Sequence, residues 1–161
     1  MRTSLLAVPL VLVACARPPT QLAGQFERVT VAEAQAQPRE GVAVRWGGLV
    51  NSARPGREQT CFEIVGFPLD ASARPVVSDE STGRFLACAP GFYEPAVYAP
   101  GREVTVVGAL NGTAKGTVGQ YEYTFPRVDA TSVYLWPERS REARPGWWPS
   151  IGVSVGGVFW R

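Results

Sequence analysis

From residue 41 onward the chain alternates short β-branched or aromatic runs with Gly, Pro, Asn and Asp, the pattern of an all-β barrel or sandwich. In GVAVRWGGLV, Val42, Val44 and Trp46 fall on one face and Ala43 and Arg45 on the other, and Gly47-Gly48 then predicts a bulge or sharp bend. TCFEIVG sets Phe62 and Ile64 opposite Glu63, REVTVVGAL puts Val104 and Val106 together, and QYEYTF sets Tyr121, Tyr123 and Phe125 opposite Glu122 and Thr124. GRFLACA and a run near Ser132 to Trp136 complete the strand set. Turn signals separate these runs at Arg54-Pro55-Gly56, at 79–83, at Ala99-Pro100-Gly101 and at Asn111-Gly112, the last read as a hairpin turn. Only VTVAEAQAQP, residues 29–38, has a helical pattern, with Thr30 as N-cap and Pro38 closing it. Five or six strands in about 100 residues suit a small closed or partly open β-barrel, and we expect an OB-like Greek key with a short N-terminal helix and a C-terminal tail. Spacing alone does not separate this barrel from a sandwich.

Both ends of the chain break the strand pattern. An apolar run at 5–14 follows Arg2, the layout of an export signal, and is too short for the roughly 20 residues a spanning helix needs. It ends in Leu12-Val13-Ala14-Cys15, a bacterial lipobox: small residues fit the signal peptidase, and the Cys15 thiol takes diacylglycerol before cleavage frees its amine for an acyl chain. One acyl chain holds a protein to a bilayer only reversibly, whereas three make attachment effectively permanent. Ala16 follows instead of the Asp that retains enteric lipoproteins in the inner membrane, so the expected address is the outer membrane, lipid-anchored at its periplasmic face. The expected organisation is a signal peptide at 1–14, a lipidated N-terminus and extended tether at 15–28, the barrel at 29–137, a charged linker at 138–146 and an aromatic tail at 147–161. That tail carries Trp147, Trp148, Phe159 and Trp160, and either packs back on the barrel or meets a membrane interface or partner.

Composition narrows the chemistry. The 161 residues include 17 Gly and 14 Pro and no His, which argues against a helical bundle and removes the commonest general base, the His-dependent nucleophile pairs and most zinc sites. The formal charge is only +2, with Arg scattered along the chain, so no nucleic-acid partner is expected. No cofactor or metal is implied, and GxSxG, Walker, HExxH and EF-hand patterns are absent from the sequence. A hydrolase with two carboxylates would need distant acidic residues to converge, and nothing in their spacing requires it.

With Cys15 assigned to lipid, Cys61 and Cys88 remain, and in an oxidising compartment they are expected to form a disulfide, the alternative being two buried thiols. The most distinctive segment, 83–108, interleaves Arg84, Phe85, Phe92, Tyr93, Tyr98 and Arg102 with prolines. These six residues either form an exposed stacking face for an envelope glycan or polymer, or fill the barrel and stiffen a crossover.

VRWGG, FPLDASARP, GRFLA, GFYEPAVYAPGREVTVVG, GTVGQYEYTFPRV and YLWP, in this order behind a lipobox, resemble the Slp family of outer-membrane lipoproteins over roughly residues 20–137. The resemblance implies a non-enzymatic lipoprotein of the Gram-negative envelope, linked by its family name to starvation, with outer-membrane lipid as partner and an envelope protein or glycan as a further candidate. It carries over one functional position, Cys15, and no catalytic residue.

Overall fold

The computed structural model describes residues 17–139, and within them one sheet closes on itself. The strands are β1 (Glu40–Pro55), β2 (Gln59–Phe67), β3 (Gly83–Pro90), β4 (Glu103–Val118) and β5 (Tyr121–Leu135). They close in the order β1-β2-β3-β5-β4, antiparallel throughout except for the β3–β5 pair. This is the five-stranded OB-like barrel; closure gives every strand two neighbours and leaves no edge to aggregate.

β1 makes closure possible because it serves two partners, β4 through its first half and β2 through its second. Gly47 and Gly48 lie where both pairings overlap. A bulge does occur in β1, but between Val50 and Ser52, and the two glycines keep regular register. They answer to crowding instead: a Cβ on Gly48 would lie 1.9 Å from the Val65 carbonyl oxygen, so only glycine lets the strands approach there.

The expected alternation fills the barrel. Val44, Trp46 and Val50 from β1 meet Phe62 and Ile64 from β2, Phe85 from β3, Val104, Val106 and Leu110 from β4, and Val128 from β5. Trp46 and Phe85 pack edge to face with centroids 5.2 Å apart. The helix, α1 (Val31–Ala36), starts on a capping box in which Thr30 Oγ1 accepts from the Glu33 N–H and Glu33 accepts from the Thr30 N–H. It buries Val31 and Ala34 against the barrel, chiefly over β3 and β5.

Two expectations about the second half need correction. Asn111-Gly112 is not a hairpin turn: β4 continues through it, with a register shift between Leu110 and Thr113, and Gly112 adopts φ 64° inside that irregularity. Positive φ suits a bulge as well as a turn, so the dipeptide marks the conformation and not the reversal. The reversal comes at Gly119-Gln120, where Gly119 has φ 61° and Val118 pairs with Tyr121. Likewise QYEYTF and the run near Ser132 are a single strand, β5, passing through Pro126 opposite Thr113, where the adjoining β4 irregularity accommodates the missing donor.

The segment expected to be an extended tether is largely docked. A 3-10 turn at Thr20–Leu22 buries Leu22 beside Ala73 and Trp136. Arg45 Nη1 donates to the Leu22 carbonyl at 2.9 Å, its guanidinium covers the Phe26 ring, and the Glu27 N–H donates to the Ala43 carbonyl. Trp46 Nε1 then donates to the Val29 carbonyl at 2.7 Å, fixing the arm where it turns into α1.

Candidate functional site

Strand alternation decides the fate of the Arg and aromatic residues singled out above. On β2 and β3 the pairs Phe62–Ala87 and Ile64–Phe85 face inward, so Cys61–Cys88, Glu63–Leu86 and Val65–Arg84 face outward. Arg84 thus lies on the outer surface, its Nη1 2.7 Å from Glu63, while its neighbour Phe85 is fully buried. Tyr93 and Tyr98, half-buried, fold over one end of the barrel with centroids 5.4 and 5.3 Å from Phe62 and 5.2 Å from each other. Burial pushes the Tyr98 phenol above its ordinary pKa, the neighbouring Tyr93 adding to the rise and Arg102 opposing it. Arg102 donates to the Val97 and Trp136 carbonyls, and only Phe92, 70% exposed, is a free ring. The six residues therefore do not form one face. Opposite strand faces separate Arg84 from Phe85, and the Pro-punctuated crossover at 91–102 uses its tyrosines as a plug for the barrel end.

A cleft of about 290 Å³ does lie on the outer surface of β2 and β3, between the β1–β2 turn and the β4–β5 hairpin. Arg54 and Lys115 line it with the Glu63 carboxylate, above Leu86 and Phe125. The Cys61–Cys88 disulfide joins directly paired residues of the same outer face, with Cα atoms 4.0 Å apart. Sequence reasoning did not find this cleft because its lining comes from all five strands, and no local motif joins them.

Ionisable groups in the described residues serve mainly the fold. The Asp70 carboxylate accepts from the Ser72 hydroxyl and from the Ser72 and Arg74 N–H groups, which hold it below the usual range. Glu33 is lowered by its bonds to Thr30. Glu103, 14% exposed, takes Arg74 on one oxygen and Arg139 on the other. Those two arginines also donate to the Pro137 and Pro75 carbonyls, clamping the chain after β5 onto the 68–76 hairpin. Among the described residues no group of three or more Cys, Asp or Glu side chains is placed to hold a metal ion. Cys15 and the aromatic tail at 147–161 lie outside the described residues, as does nearly all of the 138–146 linker.

The fold and its outer face thus define a small OB-like barrel with a docked N-terminal arm. The family model described as Outer membrane lipoprotein Slp family matches residues 12–160, and the chain belongs to that family. It is by class an outer-membrane lipoprotein. Similar relatives include the uncharacterized lipoprotein YeaY of Escherichia coli, 35% identical over 96 residues, and an uncharacterized protein of Haemophilus influenzae, 38% identical over 94. The Escherichia coli outer membrane protein Slp is 32% identical over 96 residues. These alignments cover 58–60% of this chain and 49–51% of the relatives, so the chain spans about half the length of the curated relatives it matches. A solved small single-stranded DNA-binding protein from Streptomyces coelicolor aligns with a TM-score of 0.40 at 16% identity, covering 60% of this chain and 95% of that one, a likeness too slight to bear on function.

Proposed function

We propose that the protein is anchored to the outer membrane by diacylglycerol and an N-acyl chain on Cys15, holds its barrel on the periplasmic side, and serves envelope structure or the response to starvation or stress without catalysing a reaction. The observation that carries this reading is the family match itself, which begins at residue 12, inside the lipobox, and continues to residue 160. A non-catalytic role is supported by the absence of His and by the pairing of Glu63 and Glu103, the two most enclosed carboxylates among the described residues, with arginines. Intact-mass spectrometry of protein from fractionated membranes tests it. A mature chain beginning at a triacylated Cys15 in the outer-membrane fraction is expected, with the lipid mass lost in Cys15→Ser. An unmodified Cys15, or residence in the inner membrane, overturns the attachment reading.

A second reading, favoured by the cleft over β2 and β3, is that the barrel holds an anionic envelope glycan there, with Arg54 and Lys115 as counter-charges. Arg54→Glu with Lys115→Glu should then abolish retention on immobilised acidic polysaccharide. Unchanged retention, or none by the wild type, removes this reading.

A further inference from the structure

The docked N-terminal arm walls a cleft against β1 and the end of β2. Its deep part, about 240 Å³, is mostly apolar, lined by Val29, Val31, Trp46, Phe67, Pro68 and Leu69. Residues 24–28 form a wider mouth of about 540 Å³, and the two parts adjoin because Val29, Thr30, Arg45 and Leu69 line both. Strand alternation puts Val44 and Trp46 in the core and turns Arg45 outward, to the place where the two parts meet.

Arg45 is half-buried there and only partly engaged. Its Nη1 donates to the Leu22 carbonyl at 2.9 Å, and its guanidinium face lies over the Phe26 ring, 5.1 Å from the centroid. Among the described residues Nε and Nη2 have no acceptor, and no carboxylate forms an ion pair with this guanidinium. A cation drawn out of water without a counter-charge is costly, and the free Nε–Nη2 edge is the fork of parallel donors that a carboxylate matches. The mouth adds a second cation, Arg28, against a single carboxylate, Glu27.

Size selects the apolar part of the ligand. With a methylene taken as about the size of a water, roughly 30 Å³, the deep part seats about eight of them, which is one short chain. A two-chain lipid would leave its second chain among Gly24, Gln25, Glu27 and Arg28, where there is little apolar surface to cover it.

We infer that this cleft binds the anion of a medium-chain fatty acid, one per barrel, with the carboxylate on the Nε–Nη2 edge of Arg45 and the chain laid between Trp46, Phe67 and Leu69. The site shares no residue with the cleft over β2 and β3, and it does not depend on attachment through Cys15. Titration calorimetry tests it on the full mature chain carrying Cys15→Ser, so that no detergent competes for the cleft. Straight-chain carboxylates from butanoate to dodecanoate are each held below the concentration at which they form micelles. One site per chain is expected, with Kd falling about fourfold for each methylene buried and levelling once about eight are seated. Decanoate should bind about tenfold or more tighter than decyltrimethylammonium, which has the same chain and the opposite charge. Arg45→Gln should remove that preference. Leu69→Trp, which fills the deep part from its half-exposed rim, should abolish binding of both, with circular dichroism showing that each variant is folded. A Kd that keeps falling through dodecanoate is general hydrophobic adsorption and overturns the inference, as does decyltrimethylammonium binding as tightly as decanoate. Both results come from the unaltered cleft and stand whether or not a variant folds. Absence of saturable decanoate binding at millimolar concentration also overturns it, and so does binding retained by a folded Leu69→Trp.

Discussion

Replacing Trp46 with Phe tests how the docked arm is held. The indole Nε1–H is the donor to the Val29 carbonyl at 2.7 Å in a buried setting, and the ring packs on Phe85. Phe keeps an aromatic body on Phe85 but removes the donor, leaving a carbonyl whose desolvation costs about 1–3 kcal/mol. The smaller ring also leaves space in a core position 7% exposed, adding about 1 kcal/mol. The sum is about 2–4 kcal/mol. With a urea m-value of about 2 kcal/mol/M, the midpoint should fall by about 1–2 M with m unchanged. Circular dichroism through a urea series on the oxidised protein reads that shift, and amide exchange should show faster loss of protection at Ala34 and Gln37, whose N–H groups donate to the Thr30 and Glu33 carbonyls of the helix the arm leads into. A loss below about 0.5 kcal/mol, with α1 protection intact, would refute the claim that this hydrogen bond fixes the arm.

Three further outcomes follow from the same geometry. Cys61→Ala with Cys88→Ala opens a crosslink spanning 27 residues and should cost about 3.5 kcal/mol by the loop-entropy estimate, read by thermal denaturation; a change under about 1 kcal/mol argues that reduced and oxidised chains are equally constrained. Gly48→Ala drives a methyl onto the Val65 carbonyl oxygen and should destabilise by about 3 kcal/mol or more, so a soluble variant with wild-type melting contradicts the close approach at the β1 crossover. Asp70, whose folded pKa is depressed chiefly by the Ser72 hydroxyl and by the Arg74 and Ser72 N–H groups, contributes stability that is present above its unfolded pKa, about 3.9, and is lost as pH falls through the lower folded value; Asp70→Asn should therefore flatten the acid limb below about pH 4 and leave no pH dependence of its own above it, and an unchanged acid limb would contradict the assignment.

Local patterns carried some elements a long way. Thr30 and Glu33 three residues apart state a capping box, and α1 begins there. Val104 and Val106, or Phe62 and Ile64, state an inward face by period two alone. Asn111-Gly112 misled because positive φ serves bulges as well as turns, and the choice is made by how far β5 pairs with β4. The Arg and aromatic segment left two readings open, and the structure takes the packing one: interleaving in sequence became separation in space once Arg84 and Phe85 took opposite faces and Tyr93 and Tyr98 closed the barrel end.

Sequence by itself determined the β-rich class, the helix start and the family, because each depends on neighbours along the chain. Tertiary structure decided what depends on contacts across it. Trp46 reaches Val29, Arg45 reaches Leu22, and Arg139 reaches Pro75 from 64 residues away. Those bonds turn an expected extended tether into a docked arm, and burial of Leu22 beside Trp136 brings the two ends of the described residues together. Pairing energy in a closed sheet comes from strands distant in sequence, so no local pattern along the chain displays it.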